Sequence, residues 1–292
     1  MSQAVRAARP EPDPGTGPAR FAGGATTRAA AGSRFSTALH AEWTKLRTLP
    51  GTLRLLPGAA ALTVAVSAAA VATATCPGGG CQTDQAKLSL SGVQAGQAVV
   101  VVIAVLVISG EYSNGMIRVT LAAMPRRITV LAAKATLVAG LVLAVSAVAV
   151  LASVLVGRLL LPGHGFTTAP GYPPLSLANG SVLRAACGSV LYLTLIALLS
   201  LGIATAVREA AVAIGLVLGL LYVFPVVTSV MTNQHWQRHM EQIGPMTAGL
   251  DIQTTTNLSS LPLTPWQGLG VLAAWAAGAL LLGALVLHFR DA

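Results

Sequence analysis

Six long and almost uncharged apolar runs decide what this chain can fold into. They are Leu53–Ala74, Val93–Ser109, Thr129–Val156, Leu183–Val207, Ala210–Met231 and Trp266–His288. Spanning the hydrocarbon core of a bilayer as a helix takes ~20 residues, so each run is a candidate span. The second is short and the third is long enough to tilt. All six are continuous Ala/Val/Leu/Gly stretches without the period-two alternation of a barrel strand. The expected fold is therefore an all-α integral membrane protein of six transmembrane helices. Composition agrees: 9% of residues are charged, against about 25% in a soluble domain.

The net charge of +9 does not point to nucleic acid, because of where the charges lie. If the N-terminus is cytoplasmic, 14 of the 18 Lys and Arg fall in cytoplasmic segments, leaving Lys87, Arg158, Arg184 and Arg238 outside. That bias follows the positive-inside rule and puts both termini in the cytoplasm. The basic balance then serves topology and contact with anionic lipid. Residues 1–33, rich in Pro, Gly, Ala and Arg, have little to bury and read as a disordered cytoplasmic arm. Residues 34–292 form the membrane domain.

Two cytoplasmic segments stand out. In residues 36–49, Leu39, Trp43 and Leu46 recur at i, i+4 and i+7, which marks an interfacial helix with Trp43 at headgroup level. Glu42, Lys45 and Arg47 in the same stretch either help to anchor it or contact a cytoplasmic partner. Between the second and third runs, residues 109–134 carry Glu111, Arg118, Arg126, Arg127 and Lys134. Within them Ile117, Leu121 and Met124 share one face of a short helix that Ser113 or Asn114 can cap and Pro125 ends. Such a helix, held at both ends by spans, suits docking on a soluble partner. The plainer alternative is that its apolar face rests on the bilayer.

Outside, Cys76 and Cys81 are joined by Pro and Gly and are candidates for a small-loop disulfide. Cys187, inside the fourth run, reads as a small packing residue. Gly215 and Gly219 form a GxxxG in the fifth run. Residues 232–265 make the longest polar loop, with amphipathic pieces that lie on or dip into the outer leaflet. His235, His239 and Glu241 there raise a metal site, but no third ligand at suitable spacing is evident, so surface polarity is the better reading.

Catalytic chemistry is missing from the pattern. The middles of the runs hold almost no ionisable residue, which disfavours an ion-coupled carrier and an intramembrane protease. No lysine follows a glycine, so the chain has no P-loop, and any ATP-driven work needs a separate ATPase.

Taken in order, several short stretches resemble the membrane (permease) subunits of ABC transporters of the ABC-2 export type, in particular their actinobacterial forms. They are Glu42-Trp43-Thr44-Lys45-Leu46-Arg47, then Ser109-Gly110-Glu111-Tyr112-Ser113 with Gly115-Met116-Ile117-Arg118, then Pro125-Arg126-Arg127 and Val130-Leu131-Ala132-Ala133-Lys134, and finally a Trp-bearing last run closed by Arg290-Asp291. The resemblance covers everything from Ser36 onward. It implies a half-transporter in a bacterial plasma membrane that pairs with a second copy or a paralogue, and the scarcity of charge in the runs favours export of an apolar or amphiphilic compound. Glu42 to Arg47 would be the interface helix, and Asn114, Ile117, Arg118, Leu121 and Met124 would belong to a coupling helix on a cytoplasmic ABC ATPase that carries the ATP and Mg. Glu111 would sit at the membrane boundary, paired with Lys134 or Arg118. The Cys76/Cys81 loop departs from the family pattern. A membrane anchor or sensor recruiting a cytoplasmic protein through the same segments is the rival expectation.

Overall fold

The computed structural model describes residues 36–37, 39–45, 50–76, 83–113, 127–166 and 175–289. Among them the secondary structure is helical, without strands. Residues 39–45 form α1. There follow α2 (Pro50–Thr73), α3 (Gln85–Ser89), α4 (Gly92–Ser113), α5 (Arg127–Leu160), a 3-10 turn (Leu161–His164), α6 (Gly180–Val207), α7 (Ala210–Val230), α8 (Gln234–Ile243), α9 (Pro245–Leu250) and α10 (Pro265–Phe289). Six of these, α2, α4, α5, α6, α7 and α10, are long and apolar enough to cross a membrane. They coincide with the six runs read from the sequence. The second is longer than expected, reaching Ser113. The third has 34 residues, about 51 Å at 1.5 Å per residue, well beyond a ~30 Å hydrocarbon core.

Consecutive spans alternate in direction, so the bundle has two ends. One gathers α1, the C-terminus of α4, the N-terminus of α5 and the α6–α7 turn, and is called the Glu42 end below. The other, called the Asp84 end, gathers α3, α8 and α9. Helix α6 is the centre, packed against α4, α5, α7 and α10, while α2 lies against α4 and α5. The spans of α4 and α6 are each 61% buried inside the chain, against 17% for α7 and 22% for α10. Those last two therefore present most of their surface outward.

Small residues set how closely the helices approach, as expected where apolar burial gives no preference between lipid and protein. A Cβ on Gly202 of α6 would come 2.5 Å from the carbonyl carbon of Ala279 in α10, and one on Gly283 would come 2.8 Å from Gly202 O. The GxxxG of α7 is different: nothing lies within 4 Å of the Cβ position at Gly215 or Gly219, so this pair makes no close helix contact among the described residues. Buried hydroxyls bond back to the preceding turn, as in Ser189 to Ala185 O and Ser200 to Ile196 O, which satisfies them without a second helix. Cys187, expected to pack, is exposed. It shares an outward stripe of α6 with Leu183 and Leu191, while its neighbours Ala186 and Gly188 take the inner positions.

At the Asp84 end, the segment after α8 turns inward. Pro245, Met246, Ala248 and Gly249 of α9 are buried, and a Cβ on Gly268 of α10 would meet Ala248 O at 2.1 Å. In residues 232–265 the piece that packs into the bundle is thus α9. Gly202→Val should destabilise the bundle by about 1–3 kcal/mol or more through overpacking. Gly215→Val should leave monomer stability unchanged. Thermal unfolding of both variants in one detergent measures the contrast.

Candidate functional site: a buried ring of four charges

Helix α1 does not show the bundle its apolar stripe. Trp43 is exposed, while Glu42 is buried and Leu39 and Lys45, one turn to either side, are half-buried. The inward face of α1 is therefore 39/42/45, and it meets the last turn of α4 and the second turn of α5. There Glu42, Lys45, Glu111 and Lys134 close into a ring of alternating charge. Lys134 Nζ lies 2.5 Å from Glu42 Oε2 and 3.1 Å from Glu111 Oε1. Lys45 Nζ lies 2.9 Å from Glu42 Oε1 and 3.0 Å from Glu111 Oε1.

The ring is electrically neutral, which is what lets three of its members be so deeply enclosed. Relative exposure is 4% for Glu42, 4% for Glu111 and 1% for Lys134. Burial alone pushes the Glu42 carboxyl up, but Lys134 and then Lys45 outweigh it and hold the group below its ordinary value. For Lys45, burial works downward, and the bonds to Glu42 and Glu111 raise it above the ordinary lysine value. Glu111 Oε2 is buried and has no hydrogen-bond partner among the described residues.

The same turn of α4 reaches a third element. The Arg208 guanidinium stands 5.5 Å from the centre of the Tyr112 ring, a cation–π distance. Arg208 closes α6 in the left-handed region, at φ 67, so the two-residue α6–α7 turn is held in a conformation that non-glycine residues seldom adopt. Glu111 thus binds α4 to α1 and α5, and Tyr112 binds it to the α6–α7 turn. These groups offer no nucleophile–base pair. What they offer is a stiff junction at the feet of α4 and α5, the helices that flank residues 114–126.

Of the residues singled out in the sequence, the structure brings Glu42, Lys45, Glu111 and Lys134 into one cluster. Of the two partners expected for Glu111, Lys134 and Arg118, Lys134 pairs with it. Glu42, expected among residues contacting a partner, is turned into the chain. Arg47, Asn114, Ile117, Arg118, Leu121 and Met124 lie outside the described residues. So does Cys81, whereas Cys76 is buried and disulfide-bonded. Among the described residues no group of His, Cys, Asp and Glu could hold a metal ion.

Two polar clusters escaped the sequence reading. Gln97 of α4 is fully buried; Tyr192 of α6 donates to its Oε1, and its Nε2 donates to Tyr222 of α7 at 3.2 Å and contacts Met246 Sδ at 3.3 Å. A glutamine inside an apolar run is a signal in itself, since a bilayer leaves its amide no water to bond. The second cluster is Asp84. It caps α3 through Ala86 N and Lys87 N, and accepts from Thr255 N at 2.5 Å, Thr255 Oγ1 at 2.7 Å and Thr256 N at 3.2 Å. Nearby, burial pushes Asp251 up to about 6, with Lys87 opposing and Glu241 reinforcing.

Lys134→Met should cost about 3–5 kcal/mol, the cost of leaving buried carboxylates uncompensated. Glu111→Gln with Lys134→Met restores neutrality and should recover part of that loss in a double-mutant cycle. The Glu42 contribution is present at neutral pH and lost as pH falls below the ordinary carboxylate range; that of Lys45 is lost only as pH rises above the ordinary lysine value. Asp251 acts oppositely to Glu42. Its folded form prefers the proton, so stability should rise as pH drops from 7 through 6, and Asp251→Asn should flatten that slope in thermal unfolding. No protein-family model matches the chain, and no curated protein matches it either.

Proposed function

We propose that this chain is the permease subunit of an ATP-binding cassette exporter, driven by a separate cytoplasmic ATPase that docks at the Glu42 end. The observation that carries the proposal is the neutral charge ring. It ties α1 to both helices that flank residues 114–126, so a push on that segment reaches α4, α5 and α1 together instead of bending a free loop. The shortness of the α6–α7 turn, and its stacking on Tyr112, extends the same connection to α6 and α7. The Glu42 end is then cytoplasmic, in keeping with the positive-inside count.

In this scheme the ring is a mechanical element. It consumes nothing and transfers no proton. Cargo passes along a path formed with a second copy or a paralogue. The scarcity of charge in the spans favours an apolar or amphiphilic cargo. The rival reading, an anchor or sensor recruiting a cytoplasmic protein, uses the same end of the bundle but requires no ATP turnover.

Arg118→Glu combined with Leu121→Pro should abolish permease-stimulated ATP hydrolysis by the partner while leaving membrane insertion intact. The measurement is ATPase activity in proteoliposomes holding both subunits. Unchanged turnover sinks the coupling role. Crosslinking from residues 114–124 in native membranes separates the two readings: capture of a P-loop ATPase supports the exporter, and capture of some other soluble protein supports the anchor.

A further inference from the structure

Between the outward surfaces of α7 and α10 the bundle leaves an open apolar groove of about 620 Å³, floored by Leu199 and Ile203 of α6 and walled by Leu220, Val271 and Leu282. That volume falls within the range of small-ligand sites. Val271 and Leu282 are 11 residues apart in α10, about 16 Å along the axis, close to half of a ~30 Å hydrocarbon core. The groove is therefore about as long as one leaflet is thick. It ends under α8, where Gln242 and Ile243 line its mouth and the Trp275 indole donates to Ile243 O at 3.0 Å.

Helix α8 is polar on the side that continues from this mouth. Gln234, His235, Arg238, His239 and Gln242 share one exposed face, while Trp236 and Ile243 leave an apolar edge exposed. The His235 and His239 rings stack edge to face at 5.3 Å. Arg238 stands one turn before Gln242, with no ion-pair partner among the described residues. Glu241 points elsewhere, accepting from Gln237. A surface lined this way is apolar over the length of one leaflet and cationic just beyond its mouth.

We infer that the groove binds one acyl chain of an anionic amphiphile whose acidic headgroup rests on Arg238 and the two imidazoles of α8. The match in depth selects a single leaflet-length chain, and the unpaired guanidinium selects negative charge over a zwitterion. The inference does not rest on the permease reading; a resident lipid and a cargo would be held alike.

Trp275, at the mouth, is the reporter. Replacing Trp43, Trp236 and Trp266 by Phe leaves it the sole tryptophan of the four. The full chain is reconstituted in phosphatidylcholine vesicles containing equal fractions of either acyl-brominated phosphatidylglycerol or acyl-brominated phosphatidylcholine, and Trp275 quenching is recorded. The anionic lipid should be enriched about fivefold at Trp275, the factor conferred by one membrane-surface Arg. Arg238→Gln should erase the preference while leaving quenching by the zwitterionic lipid. Gly278→Leu should fill the groove and reduce quenching by both, and because nothing lies within 4 Å of the Cβ position at Gly278 the variant has room to fold. Equal quenching by the two lipids, or undiminished quenching in Gly278→Leu, overturns the inference. So does efficient disulfide crosslinking of two copies through Gly278→Cys, which would give the groove to a second copy of the chain.

Discussion

A charge at the edge of a hydrocarbon slab is stable only with a counter-charge in contact, and the Glu42 end of this bundle is organised by that requirement. Removing an ion from water costs several kcal/mol even after relaxation. Three of the ring's four side chains are almost completely enclosed, so each is left with an uncompensated neighbour if another loses its position. Three separate stretches of the chain are thereby compelled to meet at one point. Apolar packing could not specify this junction, because Ala, Val and Leu faces are nearly interchangeable against lipid. The ring adds position to a bundle that the apolar runs alone define only loosely.

The opposite end solves the same problem with hydrogen-bond donors in place of a counter-charge. Asp84 gathers backbone and hydroxyl donors from Thr255 and Thr256 and so ties α3 to the chain after α9. Gln97 and its two tyrosines hold α4, α6 and α7 around Met246. Between the two ends the spans rely on close approach at Gly202 and Gly283 and on hydroxyls that bond within their own helix. Specific polar contacts at both ends with permissive packing between them is an arrangement in which helices can tilt without leaving polar groups stranded.

The sequence revealed the six spans because length and hydropathy are summed properties of twenty residues at a time, insensitive to any single contact. It also revealed the Glu111–Lys134 pair, because two opposite charges stand at facing ends of consecutive runs. It left the facing of α1 open. The Leu39/Trp43/Leu46 period suggested which stripe is apolar, but an interfacial helix has an apolar environment on the lipid side too, so periodicity cannot say which face turns inward; Glu42 decided that, through Lys134, 92 residues away. The same limit explains the glycines. Gly215 and Gly219 form a GxxxG yet have open space at their Cβ positions, whereas Gly202 and Gly283 stand in no GxxxG and set the α6–α10 distance. Which face of α6 is interior also determined that Cys187 is exposed. Gln97 was visible as an anomaly, but its partners come from three other elements that no local pattern connects.

The ring has a history as well as a geometry. Glu42 and Lys134 are 92 residues apart in sequence, so at ~5–20 residues per second the first is made roughly 5–20 s before the second. During that interval α1 has its own Lys45 to neutralise Glu42 and an exposed Trp43 to hold the membrane surface. The first helix to emerge must then wait beside the bilayer, half-docked, until the third span arrives to lock it. Assembly of this end is thus vectorial, and a chain interrupted before α5 would leave α1 on the surface with nothing to close against.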